Sequence, residues 1–321
     1  MTESARIAEE TLTVVPPTGT HLSLAALDRL IAAHGAWVEK QPGGERAVLR
    51  GLVLSEAALE RVNLERAELS AASFIDAALS EANLSGAILH FSDLRNATLI
   101  EADLSQADVA DASFENALLT GANFTEAKLL RSFLRRANLR EARMLEANME
   151  ACDFEGAVLR EARLLQAKVF DCRFVDADLE NANLYHSVFR CSKLNGIRAC
   201  GSNWSAALIQ SCEFRRAELL SAHFERADLR QSSFWSASLS GSSFQNARLN
   251  GTDLESADLS GAKFHEAATL SANFHGANLR GAQGLTQSQL GQARTDRNTI
   301  LPDGSNGPFM RGSGAHRPCR I

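Results

Sequence analysis

A large apolar side chain recurs at every fifth residue from Leu49 to Leu279 without a break in frame, at 47 consecutive positions. Of these, 27 are Leu and 12 are Phe, and only Ala199 and Thr269 fall short of a large apolar residue. Two residues earlier the side chain is small: 33 of the 47 are Ala, with Ser, Cys or Thr at most of the others. The unit reads A-x-[LF]-x-x, as in GANFTEAKLL and GTDLESADLSGAKF. A period of five fits neither regular element. On an α-helix five residues advance roughly 500°, so successive Leu would spiral around the rod and define no face. On a straight strand an odd period sends alternate large residues to opposite sides. The chain must therefore change direction about once per unit. All 11 glycines between residues 47 and 281 stand two residues after the large position, which marks that slot as a corner.

The residues also indicate how many sides each coil has. With four units per coil, residues 20 apart stack, and the 12 phenylalanines divide among the four faces as seven, zero, four and one. The seven and the four lie on opposite faces. With three units per coil the division is five, five and two, close to even, so four sides are favoured.

This array, over residues 47–283, resembles the pentapeptide-repeat family. The resemblance implies an all-β solenoid, a right-handed quadrilateral β-helix with the large residue and the preceding small one both pointing inward. Coils at the roughly 4.8 Å strand spacing would make a rod on the order of 56 Å long. Each buried Leu or Phe would contribute roughly 1.5–3 kcal/mol before entropy is subtracted.

All six prolines lie outside the array, as a continuous hydrogen-bonded stack requires. Upstream, Leu24, Leu27, Leu30, Ile31 and Val38 recur at helical spacing after a capping Ser23, which predicts a helix over 23–39 that covers the first coil, with Trp37 on its apolar end. Downstream, Thr286 and Gln289 form a capping-box pattern that predicts a short helix over 286–293. The segment from Gly284 also resembles the one that commonly follows bacterial pentapeptide arrays. The expected organisation is a disordered segment 1–20, an N-terminal capping helix and linker 21–46, the repeat array 47–283, a C-terminal cap 284–304 and a disordered tail 305–321.

Composition excludes several classes. With 45% hydrophobic and 22% charged residues, the chain is neither collagen-like nor wholly disordered. A net charge of −6 is too mild to imply a nucleic-acid binder. The first 20 residues lack a secretory signal, and no stretch reaches the roughly 18 apolar residues of a membrane span. The chain therefore reads as cytoplasmic, with export by a specialised system left open. Six cysteines without close metal-type pairs suggest neither a disulfide framework nor a zinc site. Cys152, Cys172 and Cys212 share one inward 20-residue column with Ser192 and read as small core residues; Cys152 and Cys172 fall within disulfide reach. Cys191 and Cys200 point outward, as do His90, His186, His223, His265 and His275. No nucleophile motif or phosphate loop is present, and a rod filled by Leu, Phe and Ala leaves no cavity for a small substrate. No catalytic, cofactor or metal site is expected.

Charge is uneven along the rod. Between Asp76 and Glu126 nine acids face a single Arg95, and from Lys128 to Arg143 the balance reverses. The candidate contact residues are Glu101, Asp103, Asp108, Asp111, Glu115, Lys128, Arg131, Arg135, Arg136, Arg140 and Arg143. In LREARML and LREARLL, Arg140, Glu141 and Arg143 should stack one coil below Arg160, Glu161 and Arg163. The reading is a non-enzymatic, rigid interaction scaffold for a protein partner, with a homodimer through a cap left open. The resemblance implies two alternatives. One is DNA mimicry toward type II topoisomerase, as in the quinolone-resistance pentapeptide proteins; the other is a secreted effector. Against mimicry stand the spread of the acids over several faces, the basic belt that follows them, and the basic tail with Arg311, Arg317 and Arg320.

Overall fold

The computed structural model describes residues 20–21 and 23–316. From Val48 to Gln283 the backbone forms parallel bridges between residues 20 apart, as in Val48↔Glu68, Asn63↔Asn83 and Lys263↔Gln283. The all-β solenoid that the family resemblance implies is therefore the fold, with four units per coil and nearly 12 coils from the 47 units. We number the faces by their large residues: first from Leu49, second from Leu54, third from Leu59 and fourth from Leu64. Most bridges are single residues; only on the first face do they widen into a five-stranded parallel sheet, β3 (Lys128–Leu130), β4 (Asn148–Glu150), β5 (Lys168–Phe170), β6 (Val188–Arg190) and β7 (Leu208–Gln210).

Within each unit the corner is a left-handed residue. All 47 corner positions from Gly51 to Gly281 have φ between 52° and 70°, and 36 of them are not glycine. A typical corner closes with a bond across four residues, as Leu52 N–H donates to the Leu49 carbonyl at 3.2 Å, while the corner N–H of Gly51 donates to Ser70 in the next coil at 2.9 Å. The large side chains fill the interior. From Leu64 to Leu279 none is more than 1% exposed. Phenylalanines 20 apart stack face to face, Phe154 on Phe174 at 4.5 Å and Phe214 on Phe234 at 4.6 Å. Those ten apart meet edge-on across the core, Phe224 with Phe234 at 85° and Phe264 with Phe274 at 89°. Both geometries suit the aromatic quadrupole.

The two exceptions in the large position have local reasons. Ala199 lies one unit before Trp204, the bulkiest buried side chain, whose indole N–H donates to Ser202 Oγ at 2.7 Å while that hydroxyl donates to the Ala199 carbonyl. Thr269 donates its hydroxyl to the Gln289 carbonyl of the C-terminal cap at 2.8 Å.

Both ends are covered. Strand β1 (Thr20–His21) pairs in parallel with β2 (Leu52–Val53), so Thr20 belongs to the fold although residues 1–20 were expected to be disordered; residues 1–19 lie outside the described residues. Helix α1 (Leu24–Val38) follows, capped by Ser23, whose side chain accepts from Ala26 N–H. Leu27, Leu30 and Ile31 close the core at this end, whereas Trp37 stacks on the buried His34 at 5.5 Å and stays half-buried. At the other end α2 (Gln287–Gln292) carries the expected capping box between Thr286 and Gln289. Gln289 Nε2 also donates to the carbonyls of Phe264 and Ala267 at 3.0 and 2.9 Å. The tail expected to be disordered from residue 305 instead folds back through residue 316. Ile300 and Asn306 form an antiparallel bridge, Phe309 packs against the core and Ala315 is buried. Residues 317–321 lie outside the described residues.

Candidate functional surface

Because each unit turns a quarter of a coil, residues adjacent in sequence leave the rod in different directions. The charged belt is accordingly spread around the girth. Asp108, Asp111, Lys128 and Arg131 lie on the first face, Glu115, Arg135 and Arg136 on the second, Arg140 on the third, Asp103 and Arg143 on the fourth, and Glu101 at the corner between third and fourth. The structure brings nine of these eleven residues into three shallow grooves rather than one site, and leaves Asp103 and Arg140 outside them. The first holds Asp108, Asp111, Lys128 and Arg131 with His90 and Glu150. The second holds Glu115, Arg135 and Arg136 with Glu155 and Asp176. The third holds Glu101 and Arg143 with Glu141, Glu161 and Arg163 around the notch left by Gly121.

Many of these charges are spent on one another. Arg131 lies directly above Asp111 and grips it with both nitrogens, at 2.7 and 2.5 Å, which holds the Asp111 carboxyl below the usual carboxylate range. Arg135 binds Asp153 at 2.7 Å, and Arg140 reaches Glu141 at 3.1 Å and Glu161 at 2.7 Å. His90 Nε2 meets Asp108 at 2.9 Å. Exposed pairs of this kind add little stability because solvent screens them, so their main effect is to neutralise the wall locally. Glu101, Asp103, Glu115, Lys128, Arg136 and Arg143 are left with no opposite charge within 4.0 Å among the described residues.

The cysteine column is buried in the core, as its inward slot suggests, and it is hydrogen-bonded as well. Along the five strands of the first face, Ser132 Oγ donates to Val109 O at 2.8 Å, Cys152 Sγ to Leu129 O at 2.6 Å and Ser232 Oγ to Ile209 O at 3.0 Å. In return Cys152 N–H donates to Cys172 Sγ, and the N–H groups of Cys172 and Cys212 donate to Ser192 and Ser232 Oγ. These side chains take over contacts that the closed corner makes elsewhere through its backbone. Contact with Cys152 and burial push the Cys172 thiol up, and burial pushes Cys212 up to about 12, so both stay protonated. All three are free thiols.

Sequence reasoning passed over two outward features. Trp235 on the second face lies under Arg216, its ring centroid 5.4 Å from the guanidinium carbon, beside Asp176 and Gly196 in a groove. On the fourth face Leu145, Leu165 and Tyr185 form an outward apolar column. Their signal was available: in the outward slot just after the large residue, a Trp or a run of Leu and Tyr interrupts a polar series. Among the described residues no group of three or more His, Cys, Asp or Glu is arranged to hold a metal ion, and no helix is long and apolar enough to cross a membrane.

Family models for pentapeptide repeats match the chain at residues 47–86, 77–116, 97–129 and 117–156, and a pentapeptide repeat region at 147–224 and 217–294. Together they span residues 47–294, well over half of the sequence, and the chain belongs to the pentapeptide-repeat family. No curated protein matches it. Among solved structures it is similar to HetL of Nostoc sp. strain PCC 7120, a pentapeptide repeat protein involved in heterocyst differentiation regulation. That match has 26% identity over 78% of this chain and 94% of HetL, with a TM-score of 0.29. It is also similar to Rfr23 of Cyanothece 51142, at 24% identity over 40% of this chain and 62% of that one, with a TM-score of 0.19. A third is QnrB1, a plasmid-mediated fluoroquinolone resistance protein, at 18% identity over 71% and 89%, with a TM-score of 0.25.

Proposed function

We propose that this protein is a non-enzymatic, rigid scaffold of the cytoplasm that binds a protein partner on its outer wall through the charged belt from Glu101 to Arg143. The observation that carries this reading is the filled interior: the inward side chains of the described array leave no chamber for a substrate, and the charged differences between coils lie outside. A backbone tied coil to coil by hydrogen bonds is already ordered, so a flat face can dock with little further loss of conformational entropy.

The test is a pull-down from source cells with the full chain and with a variant carrying Glu101→Lys, Glu115→Lys, Lys128→Glu and Arg136→Glu. These residues have no ion pair to lose, but Lys128→Glu sets an acid against its bridge partner Asp108, so the variant is compared with the parent only after circular dichroism and melting show it folded. The expected result is a stoichiometric partner with the parent and at least a tenfold loss of capture with the variant. Capture of nothing specific by either protein would defeat the reading.

A further inference from the structure

On the coils up to Asn203 the fourth face is mostly built to stabilise the rod itself. Its bridge position reads Asn63, Asn83, Asp103, Asn123, then Asn183 and Asn203, and its next outward position reads Ser85, Ser105, Thr125, then Ser205. Asn83 Oδ1 accepts both the N–H and the hydroxyl of Ser85, at 3.0 and 2.6 Å, and Asn123 does the same for Thr125. Asn123 also donates to Asp103 in the coil below at 2.9 Å. Such side-chain turns tie down the corner locally. Between these two runs the pattern is abandoned. Arg143 and Arg163 replace the Asn and Asp, and Leu145 and Leu165, continued by Tyr185, replace the Ser and Thr.

The replacement does nothing for the rod. Arg143 and Arg163 face each other directly as a bridge pair, an arrangement of like charges that is destabilising. Of the carboxylates in the same notch, Glu141 and Glu161 are held by Arg140, and Glu101 makes no ion pair with either arginine. Beside the arginines Leu145 and Tyr185 are 37% and 42% exposed, with Leu165 half-buried between them. A basic pair on two coils therefore lies beside an apolar ridge that runs across three.

We infer that this part of the fourth face seats an acidic amphipathic α-helix of the partner protein, lying along the rod axis. The inference rests on the scaffold reading above. Spacing selects the helix. Three coils cover two steps of about 4.8 Å, or roughly 9.6 Å. Two helical turns rise about 10.8 Å, whereas two same-side steps of an extended chain cover about 13 Å. One apolar side chain per turn therefore meets Leu145, Leu165 and Tyr185 nearly in register. Charge selects the flank: carboxylates beside the apolar stripe complete Arg143 and Arg163.

The probe is a fluorescent helical peptide with a Leu stripe at i, i+4 and i+7 flanked by Glu, titrated with the full chain and followed by anisotropy. Controls are the same peptide with Lys for every Glu, a scrambled peptide of the same composition, and vesicles of phosphatidylcholine with phosphatidylglycerol. The acidic peptide should bind about tenfold or more tighter than either control peptide, and should weaken as salt rises to about 0.3 M. Arg143→Glu with Arg163→Glu should reverse the preference toward the Lys peptide, and Leu165→Ser should weaken both by about tenfold. Each variant is checked by circular dichroism and melting, and a folded variant that binds like the parent would overturn the inference. Equal binding of acidic and basic peptides, or tighter binding to the anionic vesicles, would overturn it too. A cellular partner lost from the belt variant but kept by the arginine variant would leave the scaffold reading intact and remove this seat.

Discussion

Thirty-six of the 47 corner residues hold a left-handed backbone angle without being glycine. In isolation that conformation costs roughly 1–2 kcal/mol per residue. The stack imposes it, because the corner N–H must meet the neighbouring coil and any other turn would swing the next large side chain out of the core. Replacing Ala151 (φ 54°) by Gly should therefore stabilise the protein by about 0.5 kcal/mol, the relief of strain outweighing the added freedom of the unfolded chain. Gly251→Ala should destabilise by about 1 kcal/mol through φ alone, since nothing lies within 4 Å of the new Cβ. Denaturant midpoints of both variants check the pair, and unchanged values would mean the corners carry no strain. The glycine register revealed where the corners are. That Arg136 or Glu101 would share the glycine conformation was not legible, because the cause lies one coil away and not in their own chemistry. The Ser and Cys column was hidden for the same reason: its hydrogen bonds join residues 20 and 23 apart.

At the scale of elements, both capping helices were readable from local signals, the apolar spacing of α1 and the Thr286–Gln289 box of α2. What covers the core beneath α1 was not, since it depends on how the helix lies on the first coil. His34 is the case in point. Buried against Trp37, it accepts the Ala47 N–H on Nδ1 at 3.0 Å and so joins α1 to the first coil. Burial pushes its pKa below the ordinary 6.5. A folded-state pKa lowered in this way means the unfolded chain takes up the proton first, so the joint has its full stability above about pH 6.5 and loses it as the pH falls below that value. Protonation of Nδ1 also ends its bond to Ala47. Protection against hydrogen exchange across residues 24–38, measured relative to the intrinsic rate at each pH, should fall several-fold more between pH 7.5 and 5.5 than protection in the middle of the array. His34→Gln should abolish that difference, and equal loss of protection in both regions would refute the assignment.

At the scale of the whole molecule, the wall is indexed by the coil. Deleting residues 77–96 removes one coil, joins Asp76 to Ala97 and returns every downstream residue to its original face. That variant should keep its β spectrum and a single cooperative melt, because each coil contacts only its neighbours. Deleting residues 77–80 instead moves every later Leu and Phe out of the inward slot and should abolish folding, as far-ultraviolet circular dichroism will show. The shape of the rod was legible because the period is local and repeated. The division of the charged belt into three grooves was less so, because it requires knowing which acid lies above which base. The covered ends bear on a different property. Arg294 and Ile300 occupy the strand edges of Asn273 and Asn278, and Gln289 bonds the carbonyls of Phe264 and Ala267. A chain cut before Gly284 would present a flat, unpaired platform of the same lattice on which its own sides are built. Such a platform templates further growth, and the truncated protein should polymerise end to end into filaments where the intact one stays discrete.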